Sequence, residues 1–293
     1  MNAATTPDVA AVADALGSQA PVGGPPLGAA EGGADAERGV LPGWLPGALG
    51  AVLLLAGWEI LALTVFHKTG SAVPTPTAVA GRFWADVRAG LYGKNVTQTM
   101  KEAATGFVVA NVLAIVLAVA FVQLPLIEKA LLRIAIASYC LPIIAIGPIL
   151  TFVLHGDAPK AALAGLLVFF PSLIGVVVGL RSADATILDL IRASGGGSWT
   201  QLFKVRLRAA LPSTFAALQI AVPSAILGAI VGEYLGAQST GLGIMMINSE
   251  SQLEIARTWG IALLCTTIAG IGYLITGMLG RLAAPCAPRR PRP

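Results

Sequence analysis

Six long apolar stretches constrain this sequence more strongly than any other feature. At about 1.5 Å rise per residue, each is long enough to cross roughly 30 Å of hydrocarbon as an α-helix. Charged residues make up only 12% of the chain, against about 25% in soluble domains. We therefore predict an all-α integral membrane protein. The six predicted transmembrane helices are residues 46–66, 105–124, 134–154, 161–180, 213–235 and 259–280.

Prolines interrupt two of these stretches. Pro142 and Pro148 lie in the third, and Pro171 lies in the fourth. Because proline lacks an N–H group, neighbouring helices or water must satisfy the carbonyl group that it leaves unpaired. We expect bundle helices that are broken at these positions.

The segment between the first two predicted spans, residues 67–104, contains aromatic and apolar residues at helical spacing. Aromatic side chains suit the level of the lipid headgroups, and this explanation is favoured over contact with a ligand. We predict a helix that lies in the membrane interface. Its apolar face is formed by Phe83, Trp84, Val87, Leu91 and Tyr92.

The two ends of the chain lack hydrophobic periodicity. Residues 1–42 are rich in Ala, Gly and Pro and carry one base against five acids. Such a segment cannot bury enough apolar area to offset the entropy cost of folding. We predict a disordered cytoplasmic tail at 1–42, a six-helix transmembrane domain at 43–284 and a basic cytoplasmic tail at 285–293.

The distribution of positive charge predicts the orientation in the membrane. An even number of crossings puts both termini on one side, and short loops rich in Lys and Arg stay in the cytoplasm. With cytoplasmic termini, twelve of the nineteen Lys and Arg residues face inward. The bases are scattered among short loops rather than gathered on one polar face, so we expect no nucleic-acid binding.

The sequence carries no recognisable enzyme or metal site. It lacks the G-x-x-x-x-G-K-[ST] phosphate cradle, the G-x-S-x-G elbow, H-E-x-x-H, and any pair of acids within one predicted span. Three cysteines, Cys140, Cys265 and Cys286, have no C-x-x-C spacing, and only two histidines are present. We expect no catalytic residue, no metal and no cofactor on this chain.

The loop between the fourth and fifth spans, residues 181–212, has the most specific local pattern. The Gly195-Gly196-Gly197 run predicts the end of a short helix, because glycine adopts left-handed caps at little steric cost. Ser198 followed by Gln201 predicts a capping box that starts a second helix. Pro212 is then expected to introduce the fifth span.

An apolar stripe follows on this second helix, formed by Trp199, Leu202 and Phe203. Such a stripe most often packs on its own domain. Its position in the longest internal cytoplasmic connection favours the alternative, a projection that fits a groove on a partner protein. Both interpretations stay open. The cationic neighbours of the stripe are Lys204, Arg206 and Arg208.

This loop resembles the EAA motif in permease subunits of bacterial binding-protein-dependent ABC importers, in the nitrate, sulfonate and taurine branch. Asp189 stands where the family has its Glu, Gly195 where it has its Gly, and Leu211-Pro212 where the motif ends. Two departures are Leu190-Ile191, which replaces an alanine pair, and Arg208, which replaces a proline.

The resemblance extends over roughly residues 55–283 as an ordered series of short motifs. Two departures are Glu102, where an Arg is common, and His155-Gly156-Asp157, which is shorter than the usual stretch. The matching motifs are Trp58-Glu59, Val73-Pro74-Thr75-Pro76, Gly106-Phe107, Pro142 with Pro148, Phe170-Pro171, Gly179-Leu180-Arg181, and Glu233 followed by Gly241-Leu242-Gly243.

The resemblance implies a type I ABC importer bundle in the bacterial cytoplasmic membrane. Two copies of the chain would form the pathway among the membrane lipids, and an extracytoplasmic binding protein would deliver the substrate. ATP and Mg²⁺ would be held by a separate ATPase subunit that docks on the loop. The residues assigned to this coupling loop are Asp189, Arg192, Gly195, Ser198, Trp199, Leu202, Phe203, Lys204 and Pro212.

Polar residues within or near the apolar spans are the candidates for the translocation pathway. An acid close to the hydrocarbon normally faces a cavity or a partner, so we assign Glu233 to an outer gate with Gly241 and Gly243. The alternative for Glu233 is an interfacial position in headgroup water. The other candidates are Tyr139, Asn111, Gln219 and Asn248.

The substrate stays open at the level of sequence. The spans contain almost no Lys or Arg, so electrostatics does not choose between an anion (sulfonate, taurine or nitrate) and a small heterocycle such as a vitamin precursor. Resemblance to the branch ranks the anion first. Two other classes are a stand-alone ion-coupled carrier, which inverted repeats or paired intramembrane acids would favour, and a membrane scaffold, which would not need the glycine-punctuated loop.

Overall fold

The computed structural model describes residues 45–64, 73–124, 133, 142–236 and 240–283. The predicted tails, 1–42 and 285–293, lie outside the described residues, and so does Tyr139. The chain divides into two units, residues 1–54 and 55–293. The described part of the first unit, residues 45–54, is helical and exposes most of its apolar side chains.

Helices make up nearly all of the described chain, and no strand occurs in its described ranges. A π-helical turn, Leu202–Arg206, joins α7 to α8 without a break, so that Ser198–Leu235 is one helix of 38 residues. The helices are α1 (Leu45–Thr64), α2 (Pro76–Arg88), α3 (Tyr92–Gln123), α4 (Ile143–Val153), α5 (Ala158–Arg181), α6 (Ala185–Ala193), α7 (Ser198–Gln201), α8 (Leu207–Leu235), α9 (Leu242–Ser251) and α10 (Ile255–Ala283).

Five of the described helices are long and apolar enough to cross a membrane. A further apolar helix, α4, has 11 residues, and the first part of the predicted span 134–154 lies outside the described residues. The all-α membrane fold is therefore confirmed. The five candidate spans are Gly47–Thr64, Tyr92–Gln123, Ala158–Arg181, Ser198–Leu235 and Ile255–Ala283.

The predicted second span, 105–124, starts too late. Helix α3 begins at Tyr92 and runs for 32 residues. The first turns of α3 carry polar side chains, and for this reason the sequence predicted a loop there. In the structure several of these side chains bond groups on other helices. The predicted interfacial helix is correspondingly shorter, because α2 begins after its N-cap Thr75 and ends at Arg88. Leu91 and Tyr92 therefore do not belong to it.

The prolines do not break the helices as predicted. Helix α4 runs through Pro148 and α5 runs through Pro171, whereas Pro142 immediately precedes α4. Pro212 does not introduce the fifth span, because it lies inside a helix that already begins at Ser198. Membrane helices tolerate interior prolines since neighbouring groups can satisfy the carbonyl that each one leaves unpaired.

Helix α5 packs closely against both α3 and α8 through small residues. A Cβ atom at Gly106 of α3 would collide with the Ala161 carbonyl and stand 2.7 Å from the Ala164 Cβ atom. A Cβ atom at Gly228 of α8 would lie 2.5 Å from the Ala164 Cα atom and 2.8 Å from the Leu163 carbonyl. Such close approach increases the van der Waals contact that holds membrane helices together.

Ion pairs attach α2 to the start of α10. Asp86, which is only 3% exposed, accepts hydrogen bonds from Arg257 Nε at 2.9 Å and Arg257 Nη2 at 3.1 Å. Arg82 Nη2 donates to Glu254 Oε1 at 2.7 Å. A guanidinium group that binds a carboxylate through two N–H groups fixes both the distance between the two side chains and their relative orientation. These bonds hold α2 to the start of α10.

Replacing Gly106 by Ala is expected to destabilise the chain by about 1–3 kcal/mol, the usual cost of overpacking a tight contact. Thermal unfolding of the purified chain in detergent would measure this. Gly93→Ala is the matched control on the same helix, because a Cβ atom there meets no described atom within 4 Å. Equal losses of stability in the two variants would contradict the α3–α5 contact.

Candidate functional site

The Glu233 side chain is completely buried at the end of α8. Thr99 of α3 donates its hydroxyl to Glu233 Oε1 at 2.6 Å, and the Gly243 N–H donates to Oε2 at 2.6 Å. The alternative of an interfacial Glu in headgroup water is therefore wrong for this residue. Its carboxylate instead connects three helices, since Gly243 belongs to α9.

The turn that precedes α9 is built against this carboxylate. The Gly241 N–H donates to Asn95 Oδ1 at 2.9 Å, and the Leu242 N–H donates to Thr99 Oγ1 at 2.9 Å. Gly241 has φ +145°, and a Cβ atom there would collide with the Glu233 carboxylate. Only glycine fits this backbone and this space. The three residues that the sequence assigned to an outer gate are thus in mutual contact.

A second buried acid lies beside the first. Glu102 of α3 accepts hydrogen bonds at Oε1 from Lys160 Nζ at 2.9 Å and from Gln98 Nε2 at 2.7 Å. Exposure of the Lys160 and Glu102 side chains is 1% and 0%, and Thr99, which bonds Glu233, lies three residues before Glu102 on α3. We call Glu102, Lys160 and Glu233 the carboxylate cluster. Burial of each ion costs several kcal/mol, so the three groups depend on one another.

The turn between α4 and α5 borders the carboxylate cluster. Asp157 pairs with Lys101 Nζ at 3.2 Å. Hydrogen bonding from Gln98, with a further contribution from Lys101, holds the pKa of Asp157 below its usual value. A cavity of about 210 Å³, lined in part by His155 and Lys160, opens beside the cluster.

The predicted coupling loop begins with a well-capped helix. Asp184 Oδ1 accepts a hydrogen bond from the Thr186 N–H at 2.7 Å, and this bond lowers the pKa of Asp184 below its usual value. Helix α6 ends at Ala193, and Gly195 follows with φ +80°. The prediction that the glycine run stops this helix is confirmed. Asp189 and Arg192 form an exposed ion pair at 2.9 Å.

The predicted capping box at the next helix is wrong. Gly197 occupies the N-cap position, and Ser198 is the first helical residue. The Gln201 side chain is buried and donates from Nε2 to the Leu188 carbonyl at 3.1 Å, which ties α7 back to α6. The Gln201 amide therefore holds α6 and α7 together and does not cap the N-terminus of α7.

The predicted apolar stripe divides between two environments. Leu202 is 1% exposed and joins a core cluster with Phe121 and Leu180. Trp199 and Phe203 are 59% and 63% exposed, and their rings stack with centroids 6.0 Å apart. Residues four apart share a helix face, whereas Leu202 projects from the neighbouring face into the core. Leu202 is thus not available to a partner, while the two aromatic rings are.

The remaining predicted pathway residues do not come together. The buried Asn111 amide donates to the Phe107 carbonyl of its own helix at 2.8 Å. Gln219 of α8 lies against Gly277 of α10, beside a cavity of about 350 Å³. Asn248 lies on the exposed side of α9. No hydrogen bond joins these three in the described part of the chain.

Residues 110–285 match the family described as binding-protein-dependent transport system inner membrane component. The match covers more than half of the chain. The chain belongs to this family.

Three relatives illustrate the range of this permease family. The riboflavin transport system permease protein RibX of Chloroflexus aurantiacus is 30% identical over 236 residues, 79% of this chain and 86% of that protein. The formylaminopyrimidine transport permease protein ThiX of Halalkalibacterium halodurans is 27% identical, over 80% and 92% of the two chains. The putative aliphatic sulfonates transport permease protein SsuC of Bacillus subtilis is 26% identical, over 82% and 83%.

Family membership and the apolar helices together make this permease a multi-pass inner membrane protein. The matched region includes Lys160, Glu233 and the whole loop 181–212. Glu102 precedes it. The predicted permease identity is therefore confirmed.

Sequence reasoning missed two members of the carboxylate cluster. Glu102 was noted only as a departure from the family, and both it and Lys160 fell outside the predicted spans. A usable signal was present, because Asn95, Thr99 and Glu102 are spaced by four and three residues on α3. Polar residues at that spacing share one helix face. A polar face that opens an apolar helix indicates a buried polar partner.

Replacing Thr99 by Val is expected to lower the free energy of unfolding of the permease by about 1–3 kcal/mol, because it leaves buried groups without a partner. These are the Glu233 carboxylate and the Leu242 N–H group. Thr97→Val is the matched control, since the exposed Thr97 hydroxyl bonds only a carbonyl of its own helix among the described residues. Thermal unfolding in detergent compares the two, and similar losses would show that Thr99 has no special role.

Proposed function

We propose that this permease imports a small solute through a pathway formed by two copies of the chain, driven by a separate ATPase subunit. The stacked Trp199–Phe203 pair is the observation that carries the proposal. Both rings are more than half exposed, and they stack on one another on a helical segment. Large aromatic side chains on a rigid surface are typical anchors of protein interfaces.

The surroundings of the pair support an aqueous protein partner. Lys204 and Arg208 on the same helix and Arg192 on α6 are exposed. Cationic and aromatic side chains together suit a groove on a soluble subunit, because hydrocarbon would not solvate the charges. We assign this face, residues 185–208, to the ATPase. ATP and Mg²⁺ belong to that subunit, since the permease sequence has no phosphate cradle.

The coupling face is rigidly connected to the membrane bundle. Leu202 is buried in the core, and the Gln201 amide bonds the Leu188 carbonyl. The helix that carries Trp199 continues without interruption to Leu235. At about 1.5 Å per residue, its 38 residues reach roughly 57 Å. Movement of the coupling face therefore moves the membrane part of the same helix.

The charge distribution supports a cytoplasmic location for this loop and for both termini. The Glu233 turn, at the far end of the same helix, then lies toward the outer face. An extracytoplasmic binding protein would deliver the solute there. Movement of the coupling faces would shift the pair of permeases between inward-open and outward-open populations.

We propose a small heterocycle as the solute, in preference to a sulfonate-type anion. Two relatives, at 30% and 27% identity, are named for riboflavin and formylaminopyrimidine transport, and the one named for sulfonates is 26% identical. The buried Lys160 is already bound to Glu102. That buried ammonium group already neutralises a carboxylate, which favours a solute without negative charge.

A stand-alone ion-coupled carrier retains one observation in its favour. Glu102 and Glu233 are both buried in the bundle although they lie on different helices, and Thr99, three residues before Glu102, bonds Glu233. Paired intramembrane acids are common in proton-coupled transport. Dependence of uptake on the proton gradient, without any ATPase, would support this second function.

Replacing Trp199 by Ala is expected to abolish co-purification of a nucleotide-binding ATPase with the permease in mild detergent. The exposed ring would be lost without disturbing the core, so expression and thermal stability should stay at wild-type values. Trp84→Ala is the matched control, because Trp84 is 56% exposed on α2, far from the loop in sequence. Retention of the ATPase by the Trp199 variant would contradict the proposed docking face.

Uptake by cells that lack this permease, with and without its restored gene, tests the solute class. We expect restored uptake of a labelled pyrimidine vitamin precursor and no change in uptake of labelled taurine. The opposite result would assign the permease to the sulfonate class. Uptake that survives deletion of every co-purifying ATPase but stops when the proton gradient is dissipated would overturn the import mechanism.

A further inference from the structure

We propose that a groove between α8 and α10 binds one phospholipid whose headgroup carries a net negative charge. The phosphate group of this lipid lies between Arg281 and Arg208, and an ester carbonyl group accepts a hydrogen bond from Gln219. The inference depends neither on the transported solute nor on the ATPase.

The groove follows an antiparallel contact between the two helices. A Cβ atom at Gly277 of α10 would stand 2.5 Å from Gln219 Nε2 of α8, and one at Gly280 would stand 3.0 Å from Phe215 Cβ. Residue numbers thus rise along α10 as they fall along α8. The end of α10 therefore lies on the same side of the bundle as the loop 181–212.

The walls of this groove are apolar and face away from the core. Its volume is about 350 Å³. Leu274 and Met278, which line it on α10, are 63% and 65% exposed. Acyl chains are as apolar as such side chains and solvate them in the bilayer. The wall on α8 is formed by Pro212, Phe215 and Ala216.

Three polar side chains border the groove without a partner. Arg281 and Gln219 line it, and the exposed Arg208 precedes the groove-lining Pro212 by about one turn of α8. None of these three side chains forms a hydrogen bond or an ion pair within the described ranges of the chain. An amide without a partner in apolar surroundings costs free energy. The groove therefore suits a ligand that has both an anionic group and an uncharged acceptor.

The spacing of the polar groups matches the layers of a phospholipid. Gly277, which faces Gln219, and Arg281 are four residues apart on α10, or about 6 Å along its axis. The headgroup layer is roughly 5–7 Å thick on each side of the hydrocarbon. The phosphate group lies at the outer edge of this layer, and the ester carbonyl groups lie at its inner edge. Arg281 and Gln219 are thus separated by the depth that separates these two groups.

The charge of the groove argues against a second copy of the chain as its occupant. A two-fold dimer places the same patch on both sides of its interface. No acidic residue lines the groove, so two such patches would offer only repulsion to Arg281 and Arg208. A phosphate group instead binds guanidinium groups through charge-assisted hydrogen bonds. Two cations also favour a headgroup that has no cation of its own.

Native mass spectrometry of the full permease, purified with any bound subunits and stripped of lipid in detergent, tests the site. We expect each chain to retain one phosphatidylglycerol in preference to phosphatidylcholine. Arg281→Gln should weaken phosphatidylglycerol binding about fivefold, the effect of one cation beside an anionic headgroup. Arg88→Gln is the matched control, because it removes the same charge from α2, which is bound to the other end of α10. It should bind as the wild type does.

Thermal unfolding separates lipid binding from folding. Without lipid, Arg281→Gln and Gln219→Met should unfold at the wild-type temperature, since neither side chain has a partner in the part of the chain that the structure describes. Added phosphatidylglycerol should raise the unfolding temperature of the wild type more than that of either variant, because a ligand stabilises the state that binds it. Glycerol phosphate, which lacks acyl chains, should leave all three temperatures unchanged.

Four results would overturn the proposal. The first is equal retention of phosphatidylglycerol and phosphatidylcholine by the wild type. The second is phosphatidylglycerol binding that is unchanged in Arg281→Gln or weakened equally in Arg88→Gln. The third is stabilisation by glycerol phosphate, which would indicate a site for a free phosphate group. The fourth is phosphatidylglycerol binding by monomers but not by dimers, which would assign the groove to the second copy.

Discussion

One buried carboxylate, that of Glu233, determines how three helices of the bundle meet. It accepts bonds of 2.6 Å from the Thr99 hydroxyl of α3 and from the Gly243 N–H at the start of α9. A buried carboxyl group left without such donors would cost free energy, so the bonds fix the relative positions of these helices. The position of the turn at 240–243 follows from the same bonds, since the Thr99 hydroxyl also accepts from the Leu242 N–H.

The buried polar groups and the small residues of the bundle depend on one another. A Cβ atom at Gly232 of α8 would stand 2.8 Å from the Lys160 Cα atom, so glycine there lets the ammonium-bearing helix come close. Gly106 lies one turn beyond Glu102 and brings α3 equally near to α5. Burying an ion costs several kcal/mol unless a partner is within bonding distance. Close backbone packing therefore brings the Lys160 ammonium group within bonding distance of Glu102, in addition to bringing the apolar surfaces together.

The sequence alone predicted the apolar architecture better than the polar one. Long hydrophobic runs determine helices regardless of context, and the left-handed residue at Gly195 follows from the lack of a side chain. Lys160 and Glu102 were placed outside the spans because average hydropathy counts a charge as exposed, even when a helix distant in sequence neutralises it. Leu202 was grouped with Trp199 because spacing defines a face without saying what that face contacts.

The bonds around Glu233 also limit what can move during transport. Helices α3, α5 and α8 interlock through Gly106 and Gly228, and the turn before α9 is bound to α3 and α8. A shift of the exposed face that we propose as the ATPase docking surface would carry α8 with it, because the helix is continuous. Since packed interfaces switch between discrete arrangements rather than deforming smoothly, these three helices and the turn should move as one body. Alternating access then requires displacement between such bodies, not rearrangement within one.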